Sequence, residues 1–86
     1  MRKSTHYKDE EAIKAFGKKV RELRVGLGMT IEAFANSMDL HVTQLSRIER
    51  GETNPTLSYI FLLAEKLGVQ PSELIDFELP DDKTKK

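Results

Sequence analysis

The apolar residues of this chain recur at helical steps, and the runs that carry them are short and firmly punctuated. Ile13, Phe16, Val20, Leu23 and Leu27 follow one another at intervals of three or four, the spacing of one helix face, with Asp9, Glu10 and Glu11 ahead of them where acids complement the helix dipole. This predicts a first helix over 10–26. Gly26 and Gly28 break it, and Thr30 is placed to cap a second helix over 31–37, whose Ile31, Phe34, Ala35 and Met38 face inward and which ends near Asp39. A third helix is expected over 42–50, stopped by Gly51. Asn54-Pro55 then marks a loop, with Thr56 capping a fourth helix over 57–67 that Gly68 closes. Pro71 occupies the favoured first-turn position of a last short helix over 71–76, and Pro80-Asp81-Asp82 ends ordered structure. No strand alternation and no internal repeat is found. The expected class is all-α: a compact bundle of five short helices around one core, forming a single domain over 9–79. Residues 1–8 read as a flexible lead-in and 80–86 as a charged tail.

Size narrows the function classes. With 86 residues the chain buries roughly 60 to 65% of the surface its unfolded form exposes, too little for a core, a deep cleft and a dinucleotide domain together. It has no cysteine, so a disulfide framework, a thiolate zinc site and a thiol nucleophile are excluded, and a cytoplasmic location is the expectation. The longest apolar stretch, 60–64, is far short of the roughly 20 residues a bilayer needs. The histidines His6 and His41 lie in different segments with no acid at ligand spacing, Ser46 has no activating partner nearby, and the acidic runs read as helix-end and tail charges. Neither a metal, a cofactor, a small-molecule ligand nor an enzymatic activity is expected. Formal charge sums to zero but is unevenly placed: residues 1–50 carry ten basic against seven acidic side chains, residues 51–82 one against seven. Any nucleic-acid reading must therefore rest on a local basic face rather than on a broad positive field.

The third helix is where such a face lies. At 100° per residue, Val42, Thr43, Ser46, Arg47 and Arg50 fall in an arc about 140° wide, while Leu45 and Ile48 lie on the other side. Two apolar anchors beneath hydroxyls and guanidinium groups describe a helix that can enter the major groove of double-stranded DNA. They equally describe a polar solvent face, and the arc alone leaves both readings open.

Longer stretches add a resemblance. Met29-Thr30-Ile31-Glu32-Ala33-Phe34-Ala35, then His41-Val42-Thr43-Gln44-Leu45-Ser46-Arg47-Ile48-Glu49-Arg50-Gly51, and Asn54-Pro55 resemble the lambda-repressor-like helix-turn-helix domains of the Cro and phage-repressor type, the XRE family. The likeness runs from about Phe16 to Ile75. It implies a five-helix bundle in which helices two and three form the DNA-reading unit, and sequence-specific transcriptional regulation by a homodimer on a near-palindromic operator.

Carried over residue by residue, the resemblance puts base reading on Val42, Thr43 and Arg47, with Gln44 and Ser46 within reach of base edges or phosphates. A guanidinium bonding both N7 and O6 of guanine contributes about 1 to 3 kcal/mol of discrimination, which makes Arg47 the principal candidate. Val42 meets either a thymine methyl or its own neighbours. Arg24 and Glu49 match the family's ion pair linking the first and third helices. Backbone contacts to DNA fall on Thr30, Ile31, His41, Arg50, Thr53 and Asn54. Three positions depart from the pattern: Ile31 replaces a glutamine, Asp39 a glycine and His41 a serine or threonine cap, while Glu52 sits in a loop that is often basic. These changes bear on affinity rather than on fold.

Pairing of two copies is expected through the fourth helix. There Leu57, Ile60, Phe61, Ala64 and Leu67 occupy the predicted core-facing arc, leaving Tyr59 and Leu62 opposite and Leu63 at the edge, with Phe77 and Leu79 extending the same patch. A second function class remains beside the regulator: a protein-interaction module, antitoxin-like, using the same fold with weak or no DNA binding and an acidic back half for a basic partner.

Overall fold

A computed structural model describes residues 8–78. The 1–8 lead-in except Lys8, the histidine at position 6, Leu79 and the 80–86 tail lie outside the described residues. Those described form five helices and no strand: α1 Glu10–Gly26, α2 Ile31–Ser37, α3 Val42–Glu49, α4 Leu57–Leu67 and α5 Pro71–Leu74. Three of the five starts carry a side-chain cap, at Thr30 and Thr56 as the sequence implies and at Asp9 beyond the dipole role read for it. Asp9 Oδ1 accepts the Ala12 N–H at 3.1 Å, Thr30 Oγ1 that of Ala33 at 3.0 Å, and Thr56 Oγ1 that of Tyr59 at 3.2 Å. Each satisfies a donor that the first helical turn leaves without an intrahelical acceptor. His41 stands at the start of α3 without a side-chain capping bond.

The turn between α2 and α3 closes through Asp39, whose φ of 57° is left-handed. Its N–H reaches Asn36 O at 3.1 Å, and the Leu40 N–H reaches Ala35 O at 2.9 Å. The tight reversal is thus made without glycine. Glycine is obligatory where α1 crosses α3: a Cβ on Gly17 would stand 2.2 Å from the Ile48 carbonyl oxygen. Gly51, with φ of 73°, ends α3 against Lys14, where a Cβ would lie 2.6 Å from Lys14 Cγ. Helix α1 therefore lies backbone to backbone along the rear of α3.

One core gathers Phe16 and Val20 of α1, Phe34 and Ala35 of α2 with Met38 beyond it, Leu45 and Ile48 of α3, Leu63, Ala64 and Leu67 of α4, and Leu74 of α5. Helix α1 touches α3, α4 and α5, while α2 rests on α3. The first helix is thus the spine joining the α2–α3 unit to the α4–α5 unit.

Four details differ from the sequence expectation. Leu63 is fully buried, whereas Leu57 and Phe61 are 70% and 56% exposed. The buried face of α4 follows Ile60, Leu63, Ala64 and Leu67, a complete i, i+3, i+4, i+7 stripe; Leu57 at the first position and Phe61 turn away from it. Leu27 caps α1 and is exposed, because the chain leaves the helix before that side chain can reach the core. Helix α3 stops at Glu49, with Arg50 as its cap, since the left-handed Gly51 cannot extend it. Helix α5 stops at Leu74: Ile75 is 58% exposed, so no burial holds a further turn together.

Candidate nucleic-acid interface

Helix α3 has two unlike sides. Leu45, Ile48 and Glu49 are buried behind it, and Val42, Thr43, Gln44 and Arg47 are exposed in front. Ser46 sits half-buried at the margin, so its hydroxyl is less available than its place on the helical wheel implied.

What fixes the rear side is electrostatic as well as apolar. Arg24 Nε–H donates to Glu49 Oε2 at 2.7 Å and Arg24 Nη2–H to Oε1 at 3.0 Å, a two-pronged ion pair between α1 and α3. The remaining Nη1 donates to the Met29 carbonyl at 2.8 Å, which ties in the connection leading to α2. Both side chains are largely withdrawn from solvent, at 10% and 4% exposure. The hydrogen bond to Glu49 raises the Arg24 pKa above its already high ordinary value, against the opposing effect of burial. A guanidinium in this setting is a permanent cation, and its planar fork matches the carboxylate bond for bond.

Around the exposed side, the other residues take distinct positions. Thr30 is exposed, with its hydroxyl accepting at the start of α2. Ile31 is half-buried and packs against the core, so its side chain is withdrawn from any phosphate; only its backbone N–H, in the first turn of α2, keeps that orientation. His41 is exposed beside the start of α3. Thr53 and Asn54 join Gln44, Arg47, Pro55, Thr56 and Tyr59 in lining a groove of about 280 Å³ between α3 and α4. Arg50 is held by Glu52, Nε to Oε2 at 3.0 Å and Nη2 to Oε1 at 3.2 Å, in a pair about half exposed at both ends. The cation expected to serve DNA thus has a local counter-ion that the sequence departure at Glu52 supplies.

Residues expected to form a pairing surface divide. Leu63 belongs to the core, and Leu62 and Phe77 are half-buried against it. Tyr59 turns toward α3, where its hydroxyl oxygen accepts the Gln44 Nε2–H at 3.2 Å. Helical periodicity alone could not reveal that contact, since it depends on how the 51–56 loop sets α4 beside α3. Among the described residues no three His, Cys, Asp or Glu side chains are grouped to hold a metal ion, and no helix is long and apolar enough to cross a membrane.

A short capped helix, a tight turn and a second helix pinned from behind, with its polar face outward, define a helix-turn-helix DNA-binding domain. The chain belongs to the helix-turn-helix family, of the lambda-repressor-like XRE type, whose family model matches residues 20–74. It is 46% identical over 63 residues to control protein C.BamHI of Bacillus amyloliquefaciens, a match covering 72% of this chain and 78% of that protein. It is also 34% identical over 58 residues to the HTH-type transcriptional regulator DdrOP3 of Deinococcus deserti, covering 67% of this chain and 45% of that longer relative. The crystal structure of the restriction-modification controller protein C.AhdI from Aeromonas hydrophila superposes with a TM-score of 0.69 at 35% identity, over 72% of this chain and 94% of that one. These relatives are regulators, not enzymes, and the chain is a DNA-binding regulator of their class.

Proposed function

We propose that this protein is a sequence-specific transcriptional regulator that binds a near-palindromic operator as a homodimer, with α3 in the major groove, and that it serves as a controller in a restriction-modification system. The observation that carries this reading is the division of α3: Val42, Thr43, Gln44 and Arg47 are exposed while Leu45, Ile48 and the Arg24–Glu49 pair hold the helix rigidly from behind. Side chains presented on a fixed helix can reach base edges in register, which a mobile helix could not achieve at the same affinity. Arg47 reads a guanine, Val42 and Thr43 contact thymine methyl or polar base edges, and Ser46 reaches bases or phosphate from the margin. Thr30, the Ile31 backbone, His41, Arg50, Thr53 and Asn54 meet the phosphates. The controller role is supported by the likeness to C.BamHI and C.AhdI. Pairing uses the outer face of α4, where Phe61 is exposed beside Leu62 and Leu57 is exposed one turn earlier. Twofold pairing spaces two copies of α3 about one DNA turn, roughly 34 Å, apart.

The test is selection of bound duplexes from a random library at about 150 mM salt, where non-specific phosphate binding is already weakened. Wild-type protein is expected to enrich a near-palindrome, and Arg47→Ala to relax it at one position in each half-site. A folded protein that enriches nothing would sink the operator reading and leave the protein-interaction module.

A further inference from the structure

Gln44 is exposed on α3 and belongs to the side that faces outward, yet its amide is not left to wander. Its Nε2–H is held by the Tyr59 hydroxyl oxygen at 3.2 Å. Tyr59 is itself well placed to hold it. The residue lies in the first turn of α4, its own N–H is bound by the capping Thr56 hydroxyl at 3.2 Å, and its side chain is half-buried. Gln44 and Arg47, one turn apart on α3, both line the groove in which the phenol sits, with Asn54 and Pro55 closing the loop side.

We infer that Tyr59 is a positioning residue for base recognition: it orients the Gln44 amide toward the major groove and thereby sets an adenine preference at one operator position. The argument rests on the reading of α3 as the base-reading helix. A glutamine amide carries two N–H donors and one carbonyl acceptor. With one donor spent on Tyr59, a single N–H and Oε1 remain, which is the pair that matches N7 and N6–H of adenine. An unrestrained glutamine must be frozen on binding, and freezing a side chain of this length weakens association by about two- to tenfold. Tyr59 removes that loss in advance. Because Tyr59 belongs to α4, the α4 placement becomes part of operator choice, although no residue of α4 lies on the reading helix.

The experiment is the library selection repeated with Gln44→Ala, Tyr59→Phe and the double variant, each checked for an unchanged melting temperature. Tyr59→Phe keeps the ring and removes only the hydroxyl. The expected result is that wild type enriches adenine at one position per half-site, that Gln44→Ala abolishes this preference, and that Tyr59→Phe weakens it about two- to tenfold at the same position alone. The double variant should match Gln44→Ala, and the salt dependence of binding should stay as in wild type, since no charge is altered. If Gln44→Ala relaxes a position that Tyr59→Phe leaves intact, Tyr59 has no positioning role, while base reading by α3 survives. If Tyr59→Phe lowers binding uniformly across sequences, the hydroxyl serves a phosphate or the fold and the inference fails. If wild type enriches no sequence, both the operator reading and this inference fall.

Discussion

Substituting Gly17 by alanine puts the closest contact of the fold to a direct test. Alanine is the better helix former by about 1 kcal/mol, so in an exposed helix interior the change would raise stability. Here the added methyl carbon would lie 2.2 Å from the Ile48 carbonyl oxygen and 2.7 Å from that of Glu49. Ordinary contact begins near 3.4 Å, so α1 and α3 must part by about 1.2 Å. Both obstructing atoms are backbone, and no rotamer change can move them aside. Overpacking of this kind costs about 1 to 3 kcal/mol, at the upper end where only the backbone can yield. Moving α1 from α3 also stretches the 2.7 and 3.0 Å bonds between Arg24 and Glu49, two turns further along the same seam. After subtracting the helix-propensity gain, a net loss of about 2 kcal/mol is expected, equal to a fall of roughly 8 to 16 °C in melting temperature for a domain of this size. Thermal unfolding followed by far-ultraviolet circular dichroism measures it. A variant melting at or above the parent temperature would refute the close crossing, because only the propensity gain would then have been expressed.

Three further substitutions probe separate parts of the same frame. Glu49→Ala leaves the Arg24 guanidinium buried without its carboxylate and should destabilise by about 3 to 5 kcal/mol in chemical denaturation, whereas an unchanged midpoint would mean that the pair is solvated. Glu52→Gln removes the counter-ion that offsets Arg50 at the phosphates; operator binding should tighten, and the slope of log affinity against log salt should steepen, by at most about 0.9, the value of one full phosphate contact. No change in that slope would place Arg50 away from the DNA backbone. Asp39→Gly relieves a left-handed residue at φ 57° and should raise stability by about 0.5 to 1 kcal/mol, seen as a melting temperature several degrees higher; a lower one would show that the aspartate side chain supports the turn.

Helix order and starts were legible because they are local. Asp9, Thr30 and Thr56 each bind the N–H three residues on, so the chemistry that starts a helix lies within one turn of sequence. Arg24 and Glu49, 25 positions apart, could be matched only through the family resemblance, and the structure joins them. Helix α4 shows where periodicity falls short. Its residues are apolar almost all round, so several arcs fit a core, and the choice of Leu63 over Phe61 depends on where α1 and α5 lie. The same long-range dependence hides the Tyr59–Gln44 contact and the clash that keeps Gly17 small. Neither leaves a mark at a fixed sequence spacing.

The separation of the two sides of α3 bears on how such regulators diverge. Val42, Thr43, Gln44 and Arg47 contribute little to the buried interior, so, under the proposed reading of α3, exchanging them would change target choice at little cost in folding. A lineage can explore new operators by drift at four positions while Leu45, Ile48, Glu49 and the α1 spine stay constant. Gln44 is the exception among the four: with Tyr59 positioning it as inferred above, a shift at that letter would be a two-step move, with one residue on each of two helices changing together.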